Sequence, residues 1–348
     1  MIHTPANAAD RTALVIGATG SFGGHAACAL IKHGWRVRAL ARDPAAATAK
    51  AGPHMPIEWV KGDGMIAADV IDAAQGASVI VHAANPPGYR NWAGLVMPMT
   101  EATIAAARAV GARIVVPGNV YNYAPDSGPR IAEDAPQAPA TRKGKIRVQM
   151  EDRLRGAALG GVKVLILRAG DFFGPAAPNS ALGWLTLRMG DKVRAAFAPG
   201  PLNVGHAYAY LPDMAETMAR LLDREGDLAG FESFHFKGHW LARGDEMVAS
   251  MRRVTGDAKI ALLPFPYPLV QALAPFVETM RELLEMRYLW RQPIGLDDAK
   301  LRGFLGDVPA TPLDAAMRET LGDMGCLEEA TMLPARAAVS VTSCAARV

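Results

Sequence analysis

Nine residues near the N-terminus, Val15-Ile16-Gly17-Ala18-Thr19-Gly20-Ser21-Phe22-Gly23, constrain the fold of this chain more than any other stretch. An apolar run ends, three glycines follow at intervals of three, and an Ala-rich helical pattern begins. Glycines so spaced let the backbone turn tightly and come close to a negative group, while the N-terminus of the next helix offers unpaired N–H groups and partial positive charge. With a strand before it, a helix after it and a second strand about 20 residues on, the segment reads as a pyrophosphate cradle. That reading sets Gly17, Thr19, Gly20, Ser21, Phe22 and Gly23 against a dinucleotide; an ordinary glycine loop is the alternative.

Over residues 12–175, short β-branched runs alternate with helical stretches. Strands are expected at 13–16, 36–40, 57–60, 79–82, 114–116 and 162–167, and helices at 23–33, 67–74, 99–110 and 145–159. Most of these strands are apolar along their length, as strands covered on both faces should be. The fold class is therefore α/β, a Rossmann-type doubly wound parallel sheet with a smaller C-terminal substrate lobe. The spacing divides the chain into a flexible leader (1–11), a dinucleotide-binding domain (12–175), to which a segment near 206–225 returns, a mainly substrate-binding lobe (176–327) and a loose tail (328–348). Asp213 and Glu216 suggest a capping box for a helix ending near Asp223. From Leu269 to Trp290, the residues Val270, Leu273, Val277, Met280, Leu284 and Tyr288 recur at helical spacing. They suggest a core-packing helix kinked at Pro275, in preference to one lying on a membrane surface.

Composition removes several function classes. Across 348 residues, 37 basic side chains face 34 acidic ones, and a formal charge of +3 is too small a field for a nucleic-acid partner. Cys28, Cys326 and Cys344 lack disulfide or metal spacing, which suits a reducing compartment. His235 and His239 have no carboxylate or cysteine at ligand spacing, so no metal is expected. The most apolar long stretch, Ile260 to Val277, is interrupted by Pro264, Pro266 and Pro268, so no membrane span is expected and the chain reads as soluble and cytoplasmic.

The second strand selects the nucleotide. It ends Arg38-Ala39-Leu40-Ala41-Arg42-Asp43, with Ala41 in the slot where a carboxylate would bind a ribose 2′-hydroxyl. The guanidinium of Arg42 matches a 2′-phosphate, which favours NADP(H) over NAD(H); a solvated loop arginine is the alternative.

With these motifs the chain resembles the extended and atypical short-chain dehydrogenase/reductases, the superfamily of NAD(P)-dependent epimerases and dehydratases, across residues 12–325. Lys61-Gly62-Asp63 is similar to the family's adenine-contacting step, and His82-Ala83-Ala84-Asn85 to its cofactor wall. Arg168-Ala169-Gly170-Asp171-Phe172-Phe173-Gly174-Pro175 resembles the loop that passes the nicotinamide. The resemblance implies cofactor contacts from Asp63, Ala83, Ala84, Asn85, Gly170 and Phe172, an enzyme acting on a small molecule, and allows a homodimer. Phe172, Phe173, Trp184, Phe197 and the stretch 260–267 suggest that the substrate is partly apolar.

The family's catalytic groups are replaced. Members carry a Ser or Thr after the fifth strand and a Tyr-x-x-x-Lys pair on the next helix. Aligned on Val120-Tyr121 and on Glu151, those three slots hold Pro117, Lys143 and Arg147. In one repair, Lys143 is the acid or base, its pKa lowered by desolvation and by Lys145 and Arg147, and Arg147 holds the cofactor ribose. In another, Tyr121 or Tyr123 supplies a phenol whose pKa the basic cluster lowers; Asn119 orients a carbonyl or water in either. Four cations, Arg142, Lys143, Lys145 and Arg147, crowd a helix start and require an anion, which a cofactor phosphate or acidic substrate would supply unless the cluster is simply solvated. His206, Tyr208 and Tyr210 share one face of an extended segment and border either the cleft or a packed aromatic surface. The leading function is an NADP(H)-dependent oxidoreductase acting on a carbonyl or activated double bond. The alternatives are a sugar-nucleotide-type epimerase or dehydratase with transient redox, and a non-catalytic NADP(H)-binding redox sensor.

Overall fold

The computed structural model describes residues 11–327 apart from 53–54, 87–90, 178–179 and 190–191; the leader to residue 10 and the tail from 328 lie outside the described residues. Alternation of apolar strands and helices lays down β1 (Thr12–Ile16), α1 (Ser21–Lys32), β2 (Arg36–Ala41), α2 (Pro44–Ala51), β3 (Ile57–Lys61), α3 (Ala67–Ala73), β4 (Val79–His82), α4 (Trp92–Val110), β5 (Arg113–Gly118), α5 (Arg142–Leu159) and β6 (Val164–Ala169). The chain continues through β7 (Asp171–Phe173), α6 (Ala181–Leu185), β8 (Thr186–Met189), β9 (Lys192–Ala198), β10 (His206–Tyr210), α7 (Leu211–Asp223), β11 (Phe231–Phe236), β12 (His239–Leu241), α8 (Glu246–Thr255), β13 (Ala261–Pro264), α9 (Tyr267–Leu273), α10 (Glu278–Glu285), α11 (Ala299–Leu305) and α12 (Leu313–Asp323).

Seven strands form one sheet in the order β11-β6-β5-β4-β1-β2-β3, and every adjacent pair is parallel. The order reverses between β1 and β4, so loops leaving their C-terminal ends diverge and open a crevice. Residues of each strand alternate between two cores: Leu14, Ile80, Ile114 and Ile166 point to one face, Val15, Val81, Val115 and Leu165 to the other. Burial on both faces explains why the strands read as unbroken apolar runs.

Two three-stranded sheets, β12-β10-β7 and β13-β9-β8, build the C-terminal lobe, with a core that includes Tyr208, Tyr210, Val248, Met251 and Met317. The chain does not leave the first domain for good at residue 175. Helix α7 packs on α1 and β11 completes the large sheet, pairing Phe231 with Val164.

Three local expectations are corrected. Helix α4 begins at Trp92, not Met99, and carries Pro98 inside it. Helix α7 begins at Leu211 without a side-chain cap; Asp213 instead accepts the Thr311 N–H and hydroxyl, each at 2.7 Å. The helix expected over 269–290 is two helices followed by a 3₁₀ turn, Met286–Trp290, because the chain is extended at Val277. The expected apolar stripe does not all face a core: Val270 is buried, but Leu273 and Val277 are each 39% exposed. No helix among the described residues is long and apolar enough to cross a membrane.

Candidate active site

The glycine segment forms a tight loop between β1 and α1. Gly17 takes a φ of +92°, and a Cβ there would sit 2.8 Å from the backbone of Ala83 and Ala84. A Cβ on Gly23 would lie 2.1 Å from the Gly17 carbonyl oxygen, and the Gly20 N–H donates to that same oxygen at 2.9 Å. The loop is therefore pressed onto the end of β4, where the Ala83 N–H donates to Ile16 O at 2.9 Å. Thr19 and Gly20 are exposed, Ser21 half-buried, and Phe22 is buried and stacks on Phe172 with centroids 6.2 Å apart. Gly170 lets the chain pass β10, since a Cβ would lie 2.2 Å from Ala207 O. The geometry thus brings the loop, the Ala83-Ala84-Asn85 segment, Gly170 and Phe172 to one crevice.

Arg147 joins it. Its guanidinium donates to Asn85 Oδ1 at 3.2 Å and lies over the Trp92 ring, 5.0 Å from the centroid. Trp92 also packs beside Tyr121, centroids 6.4 Å apart. Trp92 escaped notice in the sequence because Pro98 hides the true start of α4. Behind this wall, His82 bonds Thr103 Oγ1 at 2.8 Å; burial, aided by Arg147, pushes it down to about 4, so it is a neutral ring.

At the far end, Arg42 is exposed just past β2, and the neighbouring Asp43 caps α2 by accepting the Ala46 N–H at 3.1 Å. Asp63 is half-buried; its carboxylate accepts Met65 N–H at 3.0 Å, and its own N–H donates to Asp69 at 2.8 Å. Both lie at the same strand-end edge as the glycine loop, beside β2 and β3.

Lys143 differs from expectation in its surroundings. It is 1% exposed, and its ammonium is spent on carboxylates of α10: it donates to Glu282, also meets Glu282 O at 3.2 Å, and lies 3.4 Å from Glu285. Arg142 donates to Glu282 at 2.6 Å as well. The anion that the cation-rich helix start demands is thus present in the protein itself. Burial pulls the Glu282 carboxyl upward, but Lys143, Arg142 and Arg281 outweigh it and hold it below the usual range.

Asn119 uses its side-chain oxygen to accept Tyr121 N–H at 3.0 Å, starting the 3₁₀ turn Val120–Asn122. Its carbonyl accepts from Arg168 at 2.6 Å, and Arg168 pairs with buried Glu151 at 2.7 Å. Tyr121 is 8% exposed. Tyr123 is not available as a lowered phenol: it is buried against His235, Oη to Nε2 3.0 Å, and burial raises its pKa above the ordinary value. His235 is likewise internal, driven down to about 4 by burial. Among the described residues, no group of three or more His, Cys, Asp or Glu could hold a metal ion.

The crevice continues into the C-terminal lobe at His206, where the sequence did not foresee the pairing. Asp171, leaving Gly170, accepts from His206 Nε2 at 2.9 Å, and the His206 ring stacks on Trp290 at 3.8 Å. Only the alternation of His206 and Tyr208 hinted at this face.

Comparison with known proteins bears on the fold and the family. Residues 13–232 match the model of a family described as the NAD dependent epimerase/dehydratase family. Among solved structures, MoeE5 in complex with UDP-glucose and NAD superposes with a TM-score of 0.69 at 19% identity, covering 90% of this chain and 98% of that one. UDP-glucuronic acid 4-epimerase from Bacillus cereus in complex with NAD gives 0.71 at 17%, covering 90% and 98%. UDP-N-acetylglucosamine 4-epimerase from Bacillus cereus gives 0.70 at 15%, covering 90% and 99%. No curated protein matches the chain. At these identities the solved structures share the fold, while the family match spans more than half the sequence: the chain belongs to the NAD-dependent epimerase/dehydratase family, a family of enzymes built on this dinucleotide-binding fold.

Proposed function

We propose that this chain binds a nicotinamide dinucleotide and acts by transient redox, as an epimerase or dehydratase, on a small organic molecule held between the parallel sheet and the C-terminal lobe. The observation that carries the reading is the cradle at Gly17 and Gly23, where a Cβ would collide with backbone, so that the loop turns tightly into the start of α1, whose N–H groups suit a pyrophosphate. Asp63 would face the adenosine end, Arg147 with Asn85 the ribose beside the nicotinamide, and Phe22 with Phe172 one wall. When bound, the dinucleotide supplies a hydride acceptor and donor.

Around it the protein's own groups have distinct tasks. Trp92 and Asn85 hold the Arg147 guanidinium at the crevice. Tyr121, packed on the same indole, is the phenol placed to exchange a proton with substrate, while Lys143, paired with Glu282 and Glu285, clamps α10 to α5. Cofactor choice falls on NADP(H), because Ala41 and Arg42 stand where an NAD site needs a carboxylate; the related complexes named above contain NAD. Fluorescence titration tests this. Arg42→Ala should weaken NADPH about 10- to 100-fold, the worth of a charge-assisted phosphate contact, and leave NADH nearly unchanged. Equal small effects on both refute the assignment.

The commitment of Lys143 to Glu282 and Glu285 favours a second reading, a redox sensor that binds NADP(H) without turnover. Tight NADPH binding with neither epimer nor dehydrated product across a broad substrate panel would select it.

A further inference from the structure

The outer side of α9 and its turn into α10 is apolar and faces water. From Ala261 to Val277 the sequence has no charged residue. Within that stretch Leu269 is 58% and Phe276 86% exposed, and Leu273 and Val277 are exposed beside them. Leu269 and Leu273 stand one turn apart on α9, and the Leu273 carbonyl accepts the N–H groups of Phe276 and Val277 at 3.0 and 2.9 Å, which sets the four side chains together. Single exposed leucines need no explanation, but a chargeless cluster marks a surface that meets something apolar.

The backbone of this stretch narrows what that is. Across residues 264–277, Pro264, Pro266, Pro268 and Pro275 have no N–H, and Gln271, Ala272 and Leu273 lie inside α9. Every other N–H donates to a carbonyl of the protein, Phe265 to Ala198 O at 3.0 Å and Ala274 to Val270 O at 2.9 Å among them. Leaving water would therefore strand no backbone donor, as entry into lipid demands. A protein partner is held by about one hydrogen bond per 100–200 Å². Here only Gln271 has a side chain to give one, since the Tyr267 hydroxyl donates to Pro199 O at 2.7 Å.

The rim is basic. Arg281, 51% exposed, donates its N–H to Val277 O at 3.2 Å; Arg287 lies over the Tyr267 ring, 3.9 Å from its centroid, and exposed Arg291 is near the same tyrosine. Glu282, 3.8 Å from Arg281, and Glu285 are balanced by Lys143 and Arg142. Within 278–291 that leaves these three arginines against Glu278, which accepts the Asn91 N–H at 3.2 Å.

We propose that this face docks on a bilayer containing anionic phospholipid, with Leu269, Leu273, Phe276 and Val277 entering the acyl boundary and the arginines beside headgroup phosphates. A second copy suits it less, because a two-fold contact would gather the same arginines around the axis. The docking requires neither the cofactor nor the substrate of the proposed function.

Flotation of the full chain with vesicles tests it, using phosphatidylcholine alone and about two parts phosphatidylcholine to one of phosphatidylglycerol. The mixed vesicles should bind at least about 10-fold more tightly, since each arginine near an anionic surface is worth about fivefold. Phe276→Ser should weaken binding about 10-fold and Leu269→Ser about fivefold, with melting temperatures unchanged because both side chains already face water. Arg281→Gln should weaken binding to the mixed vesicles and not to phosphatidylcholine alone. The proposal is overturned if wild-type protein floats with neither vesicle, or if the serine variants float as well as wild type. A dimer in sedimentation velocity that Phe276→Ser dissociates would overturn it too, giving the face to a second copy.

Discussion

Replacing Lys143 with Met separates a clamp from a catalytic group. The ammonium is 1% exposed and lies between carboxylates that are 9% and 16% exposed, so the variant strands buried negative charge. Removing one partner of a buried pair costs about 3–5 kcal/mol. Arg142 still reaches Glu282 and Glu285, but it is 63% exposed and offsets little, which leaves about 2–4 kcal/mol. At about 2 cal/mol/K of unfolding entropy per residue, a loss of that size lowers the melting temperature of a chain this long by roughly 3–6 °C. Calorimetry at neutral pH reads it directly. Lys143→Met/Glu282→Met should recover at least half, since an apolar pair of similar volume replaces a buried ion pair at little cost. The pH dependence has a definite sign: Glu282 titrates lower folded than unfolded, so the clamp's contribution is present above about 4.5 and is lost as pH falls below it. A single variant that melts within about 1 °C of wild type yet loses turnover would refute the clamp, as would a double variant no more stable than the single.

Gly17→Ala should destabilise the protein by about 2–4 kcal/mol and abolish detectable NADPH binding, because its Cβ meets the Ala83 and Ala84 backbone and its φ is positive; melting and fluorescence titration check both. The α1–α7 seam should have its own pH window. His33 bonds Glu216 at 3.2 Å and Asp223 at 2.5 Å, and its pKa is raised chiefly by Glu216, so its contribution is full below about 6.5 and is lost as pH rises through the raised value. Glu216, held at about 2 chiefly by His33, contributes above about 4.5 and loses that as pH falls toward 2. The melting penalty of His33→Ala should therefore be largest near pH 5.5 and shrink toward both about pH 3 and about pH 9; a pH-independent penalty contradicts the pairing.

The parallel strands were legible because burial on both faces leaves apolar runs that need no context, and the glycine loop because its spacing answers a local steric demand. Helix α2 carried a readable start, Asp43 followed by Pro44, that its weak amphipathicity obscured. Pro98 marked a false boundary. Its missing N–H forfeits only one bond inside α4, and the helix runs back to Trp92, carrying that indole under Arg147. Between Leu269 and Trp290 the period of 3.6 is present, but the chain breaks before Glu278, so Tyr288 enters a 3₁₀ turn over the crevice and not the buried stripe of one long helix.

The cation-rich start of α5 shows where local reasoning ends. Electrostatics correctly requires an anion near Arg142 and Lys143, yet a sequence window holds only the helix itself and points to a ligand phosphate. The carboxylate arrives instead from Glu282, 139 positions away, delivered by the return of the C-terminal lobe. The same return stacks Trp290 on His206, and β7 carries Asp171 to that ring across 35 positions. Lys143 thus fastens α5 to α10. Stability measured on Lys143→Met therefore reads the contact that the C-terminal lobe supplies to α5, separately from any effect on turnover.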